Sequence, residues 1–228
     1  MLLDSRDEGG ADMQKKAAMH NFLTTDLYAI TSEEHSLGRN NVEVARQLVE
    51  AGIKVLQYRE KDKKARQMYQ ECLAIRDLTR QAGVTFIVND HIDLALLVEA
   101  DGIHIGQDDL PVQAVRRLIG NKLLLGLSTH KPYEAEAAAE SGVVDYIGVG
   151  PIFSTATKKD VCAPVGFEYL QYVVEKVSLP FVAIGGIKEH NIAELKQLGV
   201  SQFALITELV GAVDIKQAVQ RLRQKLKE

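Results

Sequence analysis

Alternation of short β-rich runs with amphipathic helical segments dominates the chain from Leu27 onward. Eight runs have the composition of strands: LYAIT from Leu27, KVLQYRE from Lys54, VTFIVND from Val84, GIHIG from Gly102, LLLGLST from Leu123, YIGVG from Tyr146, PFVAIGG from Pro180 and QFALIT from Gln202. The intervening segments are helical in pattern; in NVEVARQLVEAG, Val44, Ala45 and Leu48 share one helical face. Eight strand and helix units predict a (β/α)8 barrel, the TIM barrel fold. A doubly wound open sheet is the alternative, but the GxGxxG fingerprint of its dinucleotide-binding members is absent.

The length of the chain fits one such barrel. This fold typically takes about 250 residues, and the chain has 228. We therefore assign residues 25–228 to a single barrel domain. Residues 1–24 mix acidic residues with glycines and lack the apolar core of a signal peptide. They are expected to form a poorly ordered extension, or a short helix, outside the fold.

Charge and cysteine content exclude several classes of protein. The formal net charge is -4 and no long segment is dominated by Lys and Arg, so general nucleic-acid binding is not expected. No run of about 18 or more apolar residues occurs, which predicts that nothing crosses a membrane. Cys72 and Cys162 show neither CxxC spacing nor a disulfide framework, a usage typical of the reducing cytoplasm.

The predicted second strand carries polar residues at alternate positions. Gln57, Arg59 and Lys61 lie two residues apart in QYREK, and side chains two apart on a strand share one face. In a (β/α)8 barrel the active site is built at the C-terminal ends of the strands, where these residues occur. They therefore predict a cluster at the barrel mouth that meets an anionic ligand. The alternative is an internal salt-bridge network with Glu60 or neighbouring carboxylates.

Carboxylates follow the next two predicted strands. The third ends in VND, with Asn89 and Asp90, and the fourth leads through GIHIGQDDL to Asp109. Two carboxylates at adjacent strand ends suit Mg2+, which takes the rest of its shell from water and substrate phosphate. Together with Arg59 and Lys61 they indicate diphosphate chemistry, in which a metal and cations neutralise a leaving group. Each aspartate could instead cap the helix that follows it.

Glycines and hydroxyl residues at the remaining strand ends predict a second anion site. IGGI, at the end of the seventh strand, contains Gly185 and Gly186, and Thr207 follows the eighth. The loops after these two strands often bind phosphate through glycine backbone. The alternative for the glycines is a tight turn without a ligand. The long sixth loop, which is expected to cover the site, contains Ser154, Thr155, Thr157, Lys158 and Lys159.

Seven motifs occur in chain order: YAIT, QYREK, VND, GIHIGQDDL, GLSTH, YIGVGPIFSTATK and AIGGI. Together they resemble the thiamine-phosphate synthase (thiamine-phosphate pyrophosphorylase) family, from about residue 27 to residue 187. The resemblance implies a transferase that joins 4-amino-5-hydroxymethyl-2-methylpyrimidine diphosphate to a thiazole phosphate. Thiamine monophosphate and pyrophosphate are the implied products of a dissociative reaction assisted by Mg2+.

The resemblance also implies a role for individual residues. The pyrimidine diphosphate is assigned to Gln57, Arg59, Lys61 and Asn89, and the pyrimidine ring to Ser128. Asp90 and Asp109 are assigned to Mg2+. The thiazole phosphate is assigned to Thr155, Thr157 and the backbone of Gly186, and the pyrophosphate to Lys158. Arg59, Lys61 and Lys158 are the implied catalytic residues, because they stabilise the departing pyrophosphate.

One departure from the family pattern lies at the end of the eighth strand. The family usually has a small VS pair there, whereas this chain has Ile206 and Thr207. The resemblance assigns these two residues to the thiazole phosphate. Glu208 follows them. A carboxylate beside a phosphate pocket is repulsive unless its side chain turns away.

Two other functions fit a barrel of this kind. A thiazole tautomerase resembles this fold but generally lacks the metal and diphosphate residues, and a non-catalytic, phosphate-binding regulatory barrel needs the same residues to be lost. Asn89, Asp90, Asp109 and Lys158 are all present, which favours the synthase. Small-molecule substrates and a cytoplasmic location are expected, and a homo-oligomer is compatible with the sequence.

Overall fold

The computed structural model describes residues 8–155, 157 and 163–228. Eight parallel strands form a closed barrel, in which each strand pairs with the next along the chain and β8 pairs with β1. The strands are β1 (Leu27–Ile30), β2 (Val55–Tyr58), β3 (Thr85–Asn89), β4 (Gly102–Ile105), β5 (Leu124–Thr129), β6 (Tyr146–Val149), β7 (Phe181–Ile184) and β8 (Phe203–Leu205). The predicted (β/α)8 barrel is confirmed, and each observed strand lies within a predicted one.

At least one helix follows every strand. The helices are α1 (Glu8–Thr24), which precedes β1, α2 (Asn41–Glu50), α3 (Ala65–Ala82), α4 (Ile92–Leu97), α5 (Val112–Ile119), α6 (Pro132–Glu140), α7 (Gly166–Lys176), α8 (Ile192–Gln197), α9 (Thr207–Val210) and α10 (Ile215–Lys225), with a 3-10 helix at Glu33–His35. Val44, Ala45 and Leu48 of α2 are buried, as its apolar face predicts. Within the described residues, no helix is both long enough and apolar enough to cross a membrane.

Apolar side chains pack on both sides of the barrel wall, because successive strand residues point to opposite faces. The larger cluster lies between the strands and the helices and includes Ala29 and Leu56. The smaller cluster fills the barrel and includes Tyr28, Val55 and Tyr146. The barrel is therefore a packed core, and ligands have access only at its ends.

α1 packs across the N-terminal ends of the strands. Its Ala18 and Phe22 are buried and belong to the cluster inside the barrel. At the same end, Gln14 Nε2 donates a hydrogen bond of 2.8 Å to Oδ1 of Asp101, the residue before β4. α1 therefore closes the barrel at the end opposite the mouth.

The expectation that residues 1–24 lie outside the fold is wrong for residues 8–24. Little in the sequence marks this helix, because its buried side chains, Ala18 and Phe22, stand among residues that are mostly polar, glycine or alanine. These two side chains are buried because they pack against interior residues at the N-terminal end of the barrel. Residues 1–7 lie outside the part of the chain that the structure describes.

Candidate active site

The polar residues of the second strand do not share one strand face. β2 ends at Tyr58, so Gln57 belongs to the strand, whereas Arg59 and Lys61 lie in the loop that follows. The register of β2 and β3 pairs the residues immediately before Arg59 and Asn89. Arg59 therefore leaves its strand beside Asn89, and both lie at the mouth of the barrel.

Gln57 points into the barrel, where it begins a chain of hydrogen bonds. Its Nε2 donates to Tyr28 Oη at 2.9 Å, and the hydroxyl oxygens of Tyr28 and Tyr146 are 3.1 Å apart. Tyr146 Oη lies 3.1 Å from His104 Nδ1, and His104 Nε2 lies 3.0 Å from Ser128 Oγ. The chain thus links Gln57 with Ser128, two residues that the family resemblance assigns to the same substrate.

One arrangement of protons satisfies every bond of this interior network. Tyr28 accepts from Gln57 and donates to Tyr146, whose hydroxyl donates to Nδ1 of His104. His104 then carries its proton on Nε2 and donates to Ser128. Burial raises the pKa of both tyrosine hydroxyls, so that they remain protonated donors.

Sequence reasoning missed the three middle members of this network, Tyr28, His104 and Tyr146. The interior of a barrel is normally apolar, so polar residues indicate function mainly when they lie at the strand ends. The signal that could have found them is the histidine at the centre of GIHIG, a polar residue in an otherwise apolar strand.

Gly126 of β5 faces the interior network. A Cβ atom at this position would overlap the ring of Tyr146 and Nδ1 of His104. Glycine therefore leaves the space that the tyrosine ring occupies, and the network depends on the lack of a side chain at this position.

Arg59 places a cation at the mouth of the barrel. Its backbone N–H donates to Thr31 Oγ1 at 3.1 Å, which fixes the start of the loop after β2. Within the described residues, its half-buried guanidinium has no hydrogen-bond or ion-pair partner. An arginine that is half-buried and not paired with a carboxylate is well placed to bind an anion.

Lys61 and Asp90 form an ion pair between adjacent strand ends. Asp90 has a positive φ of 62° and its N–H donates to His104 O at 2.9 Å, so β4 holds the turn that presents its carboxylate. Glu60 points elsewhere and accepts from Asn41 Nδ2 at 2.8 Å. The salt-bridge alternative is thus found for Lys61 with Asp90, but Glu60 is not its partner.

Asp90 and Asp109 do not cap the helices that follow them. The N-cap residues of α4 and α5 are His91 and Pro111. Asp109 Oδ2 instead accepts from the backbone N–H of Gly106 at 2.6 Å and closes the turn after β4. Each aspartate is held at the mouth by one carboxylate oxygen.

The donor set of the mouth fits Mg2+ better than a metal held wholly by protein. No group of three or more His, Cys, Asp or Glu residues that could hold a metal occurs in the described part of the chain. Mg2+ usually keeps several waters and is held by one or two carboxylates together with substrate phosphates. Asp90 and Asp109 provide two carboxylates of this kind.

The loops after β6 and β7 pack tightly against each other. Gly186 has a φ of 63°, and a Cβ atom there would lie 2.6 Å from Ser154 O and 2.7 Å from Phe153 Cβ. In the loop after β6, the hydroxyl oxygens of Thr155 and Thr157 are 3.1 Å apart. The glycine is thus required by the backbone turn and by the close approach of the two loops, which places Ser154, the residue before Thr155, against Gly186. Lys158, Lys159 and Cys162 lie outside the described residues.

Glu208 is paired with a lysine that sequence reasoning overlooked. Its Oε2 lies 3.0 Å from Lys188 Nζ, and its Oε1 accepts from the N–H of Glu189 at 3.0 Å. Lys188 Nζ also donates to Thr207 Oγ1 at 2.9 Å. The positive charge of Lys188 therefore offsets the repulsion expected between Glu208 and a phosphate. Ile206 lies at the start of α9 as its N-cap residue.

Comparison with known proteins gives a family model and sequence relatives that share one name. The family model described as thiamine monophosphate synthase matches residues 27–209. The chain is 64% identical over 211 residues to thiamine-phosphate synthase from Pelotomaculum thermopropionicum. This match covers 92% of this chain and 96% of that protein. It is 52% identical over 204 residues to the enzyme of the same name from Lawsonia intracellularis, covering 90% of this chain and 94% of that protein.

A solved structure agrees with these sequence relatives. Thiamine phosphate pyrophosphorylase from Pyrococcus furiosus matches with a TM-score of 0.81 at 35% identity, covering 92% of this chain and 98% of that one. Both the sequence and the barrel therefore agree with the resemblance seen in the motifs. The chain belongs to the thiamine monophosphate synthase family.

Proposed function

We propose that this chain joins 4-amino-5-hydroxymethyl-2-methylpyrimidine diphosphate to a thiazole phosphate, giving thiamine monophosphate and pyrophosphate. The observation that carries the proposal is the contact of Lys61 with Asp90 at the barrel mouth, where the guanidinium of Arg59 has no partner among the described residues. Cations and a carboxylate thus follow adjacent strand ends there, and a departing diphosphate needs such a set of charges. The names of the relatives support the same reaction.

In the proposed reaction, the bond between the pyrimidine methylene carbon and the diphosphate oxygen breaks first. Its electron pair leaves with pyrophosphate, and the aminopyrimidine ring donates electron density to the methylene cation. The lone pair of the thiazole nitrogen then forms the new carbon–nitrogen bond. The protein thus supplies charge and orientation and needs no nucleophile of its own.

Different residues are proposed to bind the diphosphate, the pyrimidine and the thiazole phosphate. Arg59, Lys61 and Asn89 hold the diphosphate, and Lys158 is proposed to contact the pyrophosphate. Gln57 and Ser128 orient the pyrimidine, because hydrogen bonds of the interior network hold both side chains in place. The thiazole phosphate is proposed to bind at Thr155, Thr157, Gly186, Ile206 and Thr207.

Asp90 and Asp109 are the residues proposed to hold Mg2+. When bound, the ion supplies positive charge that neutralises the diphosphate. The pairing of Asp90 with Lys61 keeps the lysine beside this position, so the ammonium group can contact the same phosphate oxygens.

The test is an assay of pyrophosphate release with the purified full chain. We expect release only when the pyrimidine diphosphate, the thiazole phosphate and Mg2+ are all present, with thiamine monophosphate formed in equal amount. Isomerisation of a thiazole without pyrophosphate release would instead identify a tautomerase. Binding of phosphate compounds without turnover would identify a regulatory barrel.

Asp90→Asn and Asp109→Asn are each expected to raise the Mg2+ concentration needed for half-maximal rate by about tenfold. Asparagine removes the charge that attracts the ion, and at position 90 it tolerates the positive φ. The rate of pyrophosphate release as a function of MgCl2 concentration measures the effect. The matched control is Asp108→Asn, because Asp108 is the exposed neighbour of Asp109. An unchanged Mg2+ titration in both test variants would remove the metal assignment.

We also infer that the enzyme acts in the cytoplasm on small molecules and not on nucleic acid. Cys72 is a buried thiol that forms no disulfide, and the net charge is -4, which support this. A homo-oligomer stays a prediction from the sequence.

A further inference from the structure

We infer that Lys188 binds the phosphate of the thiazole substrate and makes the enzyme selective for the phosphorylated thiazole over the corresponding alcohol. The inference rests on the proposed function, which assigns that phosphate to the ends of β7 and β8. Neither the sequence pattern nor the family resemblance assigned a role to Lys188.

The geometry places Lys188 at the predicted phosphate site. Lys188 follows Gly186 by two residues in the loop after β7, and β7 pairs directly with β8. Its Nζ lies 2.9 Å from Thr207 Oγ1. A phosphate oxygen that accepts a hydrogen bond from Thr207 is therefore within reach of the ammonium group after a small rotation of the flexible lysine side chain.

The phosphate needs a cation that the other predicted contacts do not supply. Thr155, Thr157 and Thr207 offer hydroxyl groups and Gly186 offers only backbone, whereas a phosphate monoester carries a charge of about -1.5 to -2 at pH 7. Among the described residues, Lys188 is the cation that contacts a member of this group. A charge-assisted hydrogen bond from lysine is about twice as strong as a neutral one.

Glu208 explains why Lys188 lies at this position before a ligand binds. Glu208 is itself anchored, because its Oε1 accepts from the N–H of Glu189 at 3.0 Å. The lysine is therefore not required to hold the glutamate. The glutamate instead holds the ammonium group at the edge of the pocket, where the side chain of Lys188 remains 36% exposed and open to a ligand.

Two substitutions separate phosphate binding from a purely structural ion pair. Lys188→Met keeps the length and the apolar stem of the side chain and removes the charge; we expect it to raise KM for the thiazole phosphate about 10- to 100-fold. KM for the pyrimidine diphosphate should not change. Glu208→Gln keeps the shape and removes the competing carboxylate, and should lower KM for the thiazole phosphate about threefold. Opposite shifts support the inference.

A structural ion pair predicts a different outcome. Both substitutions would then break the same contact and would change KM and Tm in the same direction and by similar amounts. That result, or a Lys188→Met variant with the wild-type KM for the thiazole phosphate, would overturn the inference. Lys216→Met, which removes an exposed lysine of α10, is the control for the loss of one positive charge.

Calorimetric titration of the thiazole phosphate, and separately of the thiazole alcohol, distinguishes this inference from the proposed function. We expect Lys188→Met to weaken binding of the phosphate about 10- to 100-fold and to leave binding of the alcohol unchanged. The wild-type chain could release no pyrophosphate while Lys188→Met still weakens binding of the phosphate and not of the alcohol. In that case the proposed reaction fails and the phosphate site stands. If turnover is normal and the difference is absent, the reaction stands and the role of Lys188 fails.

Discussion

Replacing Arg59 with lysine is expected to lower kcat/KM for the pyrimidine diphosphate about 100-fold. The planar guanidinium donates two parallel hydrogen bonds to a phosphate, whereas lysine keeps the charge and loses this fork. The guanidinium has no partner within the described residues, so no carboxylate of those residues competes for it. Arg59→Ala, which loses the charge as well, should cost about 1000-fold. Initial rates of pyrophosphate release at varied pyrimidine diphosphate concentrations measure both effects.

Arg80→Lys is the matched control for this substitution. Arg80 is exposed and forms a surface ion pair with Glu99 at 3.0 Å, and such pairs contribute about 0–1 kcal/mol. Its kinetics should equal those of the wild type. Wild-type kinetics in Arg59→Lys as well would show that Arg59 serves only as a positive charge and not as a fork.

Phe22→Ala is expected to lower the free energy of unfolding by about 3–5 kcal/mol. The side chain is fully buried, and its ring centroid lies 4.4 Å from that of Tyr146 and 6.3 Å from that of Tyr28. Truncation leaves a cavity at the closed end of the barrel, because the surrounding strands cannot collapse into it. Urea unfolding followed by circular dichroism measures the change.

Leu23→Ala tests whether this effect comes from burial. Leu23 is the next residue of α1, and its side chain is 51% exposed. Its truncation should change the free energy of unfolding by no more than about 0.5 kcal/mol. Equal losses in the two variants would show that α1 contributes through helix formation and not by inserting Phe22 into the barrel.

The barrel itself was predictable from the sequence because its signals are local. A strand such as GIHIG is short, apolar and bounded by glycine, and α2 buries one face at helical spacing; both patterns can be read within about 12 residues. The position of the mouth followed as well, since parallel strands in a barrel all end on the same side. The sequence therefore predicts that Arg59, Asn89 and Asp90 lie at the same end of the barrel.

The contacts within the site could not be predicted in the same way. Strand ends depend on where pairing with neighbours stops, so the end of β2 at Tyr58, before Arg59, was not visible in QYREK. The hydrogen bonds of His104 and the ion pair of Lys188 join residues that are distant in sequence. Such contacts are set by register and loop geometry, which one sequence does not specify.

The Tyr146 ring occupies space inside the barrel that a side chain at Gly126 would otherwise fill. A barrel closed by eight strands has a set diameter, so an atom added at one position of its interior must be removed at another. A methyl group at position 126 would overlap the ring and hydroxyl of Tyr146 and the ring of His104, so it is compatible only with a shift or a smaller side chain among these neighbours. Loss of the tyrosine hydroxyl would break the link between Gln57 and Ser128. The proposed orientation of the substrate at the mouth therefore depends on how side chains fill the centre of the barrel.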